Sequence, residues 1–225
     1  MRRELVFGTV AAVLFAGIGT GVAQAQARPD IIGGQFDSAP WSADVHFQQN
    51  GAGYLCSGAI IAPQWVLTAK HCLGDEETVY IGNPALKAGT KAVSDKSYTD
   101  KKGDVALLHL STAVTTTYLG VGSADPAAGE TVQIWGWGDT EPGGHHSDRL
   151  KSGHMKVQAT TCHDHGSGPA LCLVAGPDLS AHGDSGGPAV YHGVEVGLDS
   201  QGDDTTKDYA SLAAHRQWIK ATAGV

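Results

Sequence analysis

The hexapeptide Gly183-Asp184-Ser185-Gly186-Gly187-Pro188 puts a serine where only a tight, exposed turn suits the chain. In such a turn the N–H groups of Gly183 and Ser185 can converge on one point and bind a developing oxyanion. A serine hydroxyl is a poor nucleophile until a neutral imidazole within hydrogen-bond reach takes its proton. Thr68-Ala69-Lys70-His71-Cys72 offers that imidazole: His71 ends an apolar strand and stands beside a cysteine. An imidazolium in turn needs an orienting anion. Asp104 stands before the nearly uninterrupted apolar run Val105–Leu110, where a carboxylate is costly to bury without a partner. Each feature alone has a bland reading: a glycine-rich turn, one of 11 histidines on the surface, an acid ending a strand. Together they point to covalent acyl transfer, with Ser185 as nucleophile, His71 as general base and Asp104 as orienting carboxylate.

The elements that must hold these residues are mostly strands. Short apolar stretches alternate with Gly, Asp, Ser and Pro, Gly numbers 31 and charged residues are only 17 %, a pattern of an all-β sandwich or barrel. The spacing predicts strands over residues 43–48, 57–62, 65–69, 78–81, 105–110, 131–137, 151–158, 188–191, 194–198 and 208–212. Segment 123–129 is turn-like and sits near the middle, while 213–221 has helical spacing at Ala214, Trp218 and Ala221. No internal sequence repeat is visible. A net charge of −8 lacks the basic footprint of a nucleic-acid binder.

The first 27 residues read as a leader. Arg2 and Arg3 precede an apolar stretch, and Ala23-Gln24-Ala25 and Ala25-Gln26-Ala27 are small-x-small cleavage signatures, so a secretory signal peptide is expected over 1–27. A membrane anchor is the alternative, but Gly17, Gly19 and Gly21 before the cleavage signature favour removal. Export places Cys56, Cys72, Cys162 and Cys172 in an oxidising compartment, where three pairings into two disulfides exist. The close pairs 56–72 and 162–172 are the simplest, each worth roughly 3 kcal/mol through loop closure. No short CxxC spacing supports zinc.

In this order, His then Asp then Ser, the chain resembles the chymotrypsin/trypsin-like serine peptidase family, in the compact style of bacterial secreted members. Ile31-Ile32-Gly33-Gly34, Cys56-Ser57-Gly58, Gly136-Trp137-Gly138, Ser200, Tyr209 and Trp218-Ile219-Lys220 extend the likeness over nearly the whole mature chain. The resemblance implies two six-stranded antiparallel β-barrels with a C-terminal helix. Barrel one would span about 31–125 with His71 and Asp104, and barrel two about 126–225 with Ser185. It implies no cofactor and no metal, a protein or peptide substrate, no nucleic acid, no stable membrane association and a secreted monomer. It also implies a short propeptide, 28–30, whose removal frees the Ile31 ammonium to pair with Asp184 in a buried activation switch.

Specificity is where the sequence departs from the family. Leu179, six before the nucleophile, stands where trypsin-type members carry an Asp, and Ala181 replaces a common cysteine. The wall from Gly202 to Tyr209 is short, so a preference for Arg or Lys is not supported. Lys207, counted back from Tyr209, falls near the pocket floor with Ser200 and Gly202 on its edge. An acid also precedes the Asp30–Ile31 junction, so an acid-preferring pocket is one reading, opposed by Asp199 on the same wall. His145-His146, His163-Asp164-His165 and Gly74-Asp75-Glu76-Glu77 read as solvated loops rather than metal sites, and the five tryptophans as packing. Two rivals stand beside the peptidase. One is a catalytically silent binding module of the same fold. The other is an α/β-hydrolase esterase, whose G-x-S-x-G elbow should open a helix where Pro188 and β-rich sequence follow here.

Overall fold

The computed structural model describes residues 31–225, so the expected leader and propeptide lie outside the described residues. Fourteen strands and one helix follow in order. They are β1 (Gln35–Phe36), β2 (Ser42–Gln49), β3 (Ala52–Ala62), β4 (Trp65–Ala69), β5 (Glu77–Ile81), β6 (Thr90–Thr99) and β7 (Val105–Leu110). Then come β8 (Gly120–Val121), β9 (Thr131–Gly136), β10 (Lys151–His163), β11 (Pro169–Val174), β12 (Pro188–Tyr191), β13 (Val194–Gly202), β14 (Thr206–Ser211) and α1 (Leu212–Ala223).

Two closed six-stranded antiparallel barrels result. The first runs β2-β3-β4-β7-β6-β5 and closes on the β2–β5 pair. The second runs β9-β10-β11-β14-β13-β12 and closes where β12 and β10 both meet β9. The strand order is the same in both, displaced by seven elements, although the sequence shows no repeat. Closure removes the open edges that an exposed sheet would leave. Alternation does the rest: Val66, Leu67, Leu107, Leu108 and Leu110 are fully buried in the first core, and Ile134, Met155, Leu171 and Leu173 in the second. Each such side chain contributes about 1.5–3 kcal/mol of apolar transfer.

Four strands escape the sequence pattern: β1, β6, β8 and β11. β6 is largely exposed and reads as polar, and β11 begins at a proline. Each barrel is built from consecutive strands, β2 to β7 and β9 to β14, but the chain's ends cross over. β1 pairs with β10 of the second barrel, and β8 runs parallel to β13. In the opposite direction, Leu212 and Ile219 of α1 bury in the first-barrel core. Each end therefore straps the other barrel, and the cleft between them is held from both sides. The helix is capped by Ser211, whose Oγ accepts the Ala214 N–H, and stops at Gly224 in a left-handed conformation.

Candidate active site

His71 lies in a single 3₁₀ turn, Lys70–Cys72, where β4 ends. The Cys56–Cys72 disulfide ties that turn to β3, and Cys162–Cys172 ties β10 to β11; the close pairing holds. Both potential metal-ligand clusters among the described residues, Cys56/His71/Cys72 and Cys162/Cys172/Asp208, contain these bonded sulfurs, which offer no thiolate. Asp104 ends the β6–β7 turn, 1 % exposed. Its Oδ2 lies 2.7 Å from His71 Nδ1, and its Oδ1 accepts the His71 backbone N–H at 2.9 Å. Ser200 adds a third contact, its hydroxyl donating to Asp104 Oδ2 at 2.6 Å. The sequence placed Ser200 on the substrate pocket; the structure gives its hydroxyl to the carboxylate behind His71 as well.

Those contacts set the electrostatics. Burial alone pushes the His71 imidazole down, but the Asp104 hydrogen bond and charge, with the charge of Asp199, outweigh it and raise the group above its ordinary value. Burial pushes Asp104 up, yet the His71 ring, the Ser200 hydroxyl and the His71 N–H together hold it below the usual carboxylate range.

Ser185 sits in the turn before β12, and barrel one anchors that turn. Ser57 N–H donates to Ser185 O at 2.8 Å, and Ser57 Oγ donates to Gly183 O at 2.9 Å. With its carbonyl drawn back, Gly183 takes φ 97°, a left-handed geometry that glycine adopts freely. Inside the turn the Asp184, Gly186 and Gly187 N–H groups go to Ala181, Asp199 and Asp184 carbonyls. Among the described residues the Gly183 and Ser185 N–H groups have no such partner, leaving two donors in the turn. Ser57 stands in the Cys56-Ser57-Gly58 motif, but its contacts with the Ser185 turn only the fold reveals.

Asp184 is fully buried, accepting the Gly138 N–H at 2.7 Å and the Ala181 N–H at 2.8 Å. A Cβ on Gly136 or Gly138 would come within 2.2 Å or 2.3 Å of its carboxylate, which explains both glycines of the Gly-Trp-Gly motif. Burial and the charge of Asp199 push Asp184 up to about 7 against the pull of those N–H groups and Lys207. Ile31 is sealed in the second-barrel core with φ 39°, and Ile32 pairs with Leu179. Among the described residues Asp184 makes no hydrogen bond to Ile31, whose nitrogen is an amide in the uncut chain.

Two cavities meet at Ser185. The larger, about 860 Å³, is lined by His71, Gly183, His146, His182 and the β2–β3 hairpin. The smaller, about 350 Å³, is lined by Leu179, Ser200, Gly202 and Lys207 together with Asp199, Asp139, Asp203 and Asp204. The four residues assigned to the pocket thus converge, and Leu179 also packs into the second-barrel core. Gly202, at φ 144°, has no room for a side chain: a Cβ would meet Thr206 O at 2.3 Å. Burial pushes Asp199 up to about 6, opposed by Lys207.

The trypsin family model matches residues 31–219. The chain belongs to the trypsin family. Trypsin iota of Drosophila melanogaster is 30 % identical across 97 % of this chain and 98 % of its own. The thrombin-like enzyme elegaxobin-2 of Protobothrops elegans is 27 % identical across 84 % of this chain and 94 % of its own. A scabies mite inactivated protease paralogue superposes with a TM-score of 0.76 at 19 % identity, covering 86 % of this chain and 97 % of its own, a likeness of fold alone. These relatives are animal proteins; the compact bacterial type expected from the sequence is not among them. The fold also removes the α/β-hydrolase alternative, because Ser185 precedes a β-strand in an antiparallel barrel. Two disulfides fit an oxidising compartment. No helix among the described residues is long and apolar enough to cross a membrane.

Two loop readings need correction. His163-Asp164-His165 is not a solvated loop throughout, since Asp164 is 2 % exposed. Glu77, the last residue of the acidic run after His71, is also buried: it accepts the Gly74 N–H and the Ser97 hydroxyl.

Proposed function

We propose that this chain is a secreted serine endopeptidase that hydrolyses peptide bonds through an acyl-enzyme. One observation carries the reading: His71 donates from Nδ1 to a buried carboxylate while sharing a cleft with Ser185. That bond orients the ring with Nε2 free to act as base. Ser185 Oγ attacks the scissile carbonyl as its proton passes to His71 Nε2, and the Gly183 and Ser185 N–H groups receive the developing oxyanion. His71 then protonates the leaving amine. A water, its proton taken by His71, releases the acyl group. Because His71 lines the larger cavity and not the smaller, the leaving side of the substrate fits the larger one. The residue before the scissile bond then projects toward Lys207.

Activation follows the family pattern in this reading. A leader over 1–27 is removed, residues 28–30 follow, and the new Ile31 ammonium pairs with Asp184. Two features support it. Asp184 is fully buried with a raised pKa, a carboxylate short of a contacting cation. Ile31 is β-branched at φ 39°, which costs on the order of 1–3 kcal/mol. Cutting the Asp30–Ile31 bond abolishes that torsion altogether.

Labelling by a fluorophosphonate, with turnover of peptide amides, tests the mechanism on the chain beginning at Ile31. Wild type should label and turn over. Ser185→Ala and His71→Ala should lose activity by the roughly 10⁴-fold or more general to triad enzymes. An unlabelled, inactive wild type would make the chain a silent binding module instead.

A further inference from the structure

The loop closed by Cys162–Cys172 reaches out of the second barrel to the turn that carries Asp104. Its acid, Asp164, is 2 % exposed and accepts the Asp104 backbone N–H on Oδ2 at 2.9 Å. The other oxygen, Oδ1, accepts Gly168 N–H at 2.7 Å. The next residue, His165, donates its N–H to Ser200 Oγ at 3.0 Å, and Ser200 donates to Asp104 Oδ2. The His165 ring meets the His71 ring edge-on, centroids 5.8 Å apart. Two consecutive residues thus contact the Asp104 backbone, the Asp104 carboxylate through Ser200, and the His71 ring.

Close backbone packing backs these bonds. A Cβ on Gly166 would lie 2.6 Å from Gly103 C and 2.9 Å from Asp104 N, and one on Gly103 would lie 2.3 Å from Asp164 Oδ2. The far end of the same turn is fixed by Asp100, which faces buried His215 of α1 at 2.9 Å and accepts the Lys102 N–H. Without Asp164 the Asp104 N–H would be buried without a partner.

We propose that the Cys162–Cys172 loop is a clasp that sets the His71–Asp104 geometry across the two barrels, with Asp164 as its positioning residue. The proposal rests on the serine-peptidase reading, but one measurement of it does not. A displacement on the order of 1 Å at a reacting centre costs about 10²-fold. Asp164→Ala should therefore lower kcat by about 10- to 100-fold with KM held within about twofold. Asp164→Asn, whose amide oxygen can keep one of the two bonds, should fall between. Gly166→Ala removes no hydrogen bond and presses on the Asp104 turn, so it should act in the same direction.

The decisive readout is the imidazole titration of His71 by NMR. It should move down toward the ordinary value in each variant, because His71 is held up by Asp104, with Asp199 as the other charge acting on it. An Asp164 that merely braced its own loop through Gly168 would leave that titration unmoved. If Asp164→Ala does not fold, Asp164→Asn and Gly166→Ala decide. Wild-type kcat and wild-type His71 titration in both would overturn the clasp, as would lost activity with an unmoved titration. An inactive, unlabelled wild type whose His71 titration still shifts in the variants would sink the peptidase reading and leave the clasp standing.

Discussion

Asp104 and Asp184 are both 1 % exposed, one behind His71 and the other next to Ser185 in the chain, yet their surroundings move them to opposite sides of the ordinary carboxylate value. Asp104 is held low by an imidazole in contact, a hydroxyl and an N–H. Asp184 receives two N–H groups, is drawn down by the charge of Lys207, and lies near the like charge of Asp199. Desolvation pushes both upward, and what brings Asp104 back below its ordinary value is contact. The difference is one contacting group able to carry positive charge, which Asp104 has in His71 and Asp184 in the uncut chain lacks.

The most damaging way to break the comparison is at Asp104. Asp104→Asn removes the anion that orients His71, and kcat should fall by roughly 10⁴-fold, as in triads generally. Steady-state turnover of a peptide amide measures it.

A smaller, sharper effect is expected at Asp184. In a form still carrying residue 30, Asp184 titrates near 7 rather than at its ordinary 3.8. The folded state then holds a proton that the unfolded state has lost. Stability is fully present below the ordinary value and drains away as pH rises toward 7, by about 1.4 kcal/mol per unit. Asp184→Asn should abolish that slope. In the form beginning at Ile31 the ammonium should depress Asp184, so its contribution is present at neutral pH and lost as pH falls. Urea unfolding of both forms from pH 4 to 8 checks the reversal; identical slopes would remove the ammonium–Asp184 pair.

His71 sharpens the other side. In the proposed mechanism it is the base only when neutral, and its pKa is raised, so kcat/KM should climb with pH through an apparent pKa above 6.5. The same shift favours the protonated fold: its stabilisation is present below 6.5 and lost as pH rises through the folded value. A rising limb centred below 6.5 would contradict the hydrogen-bonded pair.

The smallest effect concerns the smaller cavity, where Lys207 opposes Asp199. Asp199, raised to about 6, is protonated below that pH, leaving Lys207 less compensated. The ratio of kcat/KM for Asp over Ala before the scissile bond should rise a few-fold between pH 7.5 and 5.5, on the order of an exposed-to-buried charge contact. Lys207→Met should flatten it. Profiling paired peptides at both pH values reads the ratio directly.

What the sequence determined by itself is what depends on short stretches of chain. Gly183 and Ser185 in a glycine turn, His71 after an apolar strand, Asp104 before another, and close cysteine pairs are local patterns set by backbone freedom and alternation. So are most of the strands, with the partly polar β6 and the proline-led β11 missed because their pattern is weak. Contacts across the two barrels depend on the folded chain instead: Ser57 on the Gly183 carbonyl, Ser200 on Asp104, and Asp164 on the Asp104 N–H. The repeated strand order belongs there too, since different residues can satisfy the same alternation. Asp164 illustrates the limit. Between two histidines in a polar stretch it has every local mark of solvent exposure. Only closure of the barrels brings a buried N–H within its reach and makes burial of the carboxylate favourable.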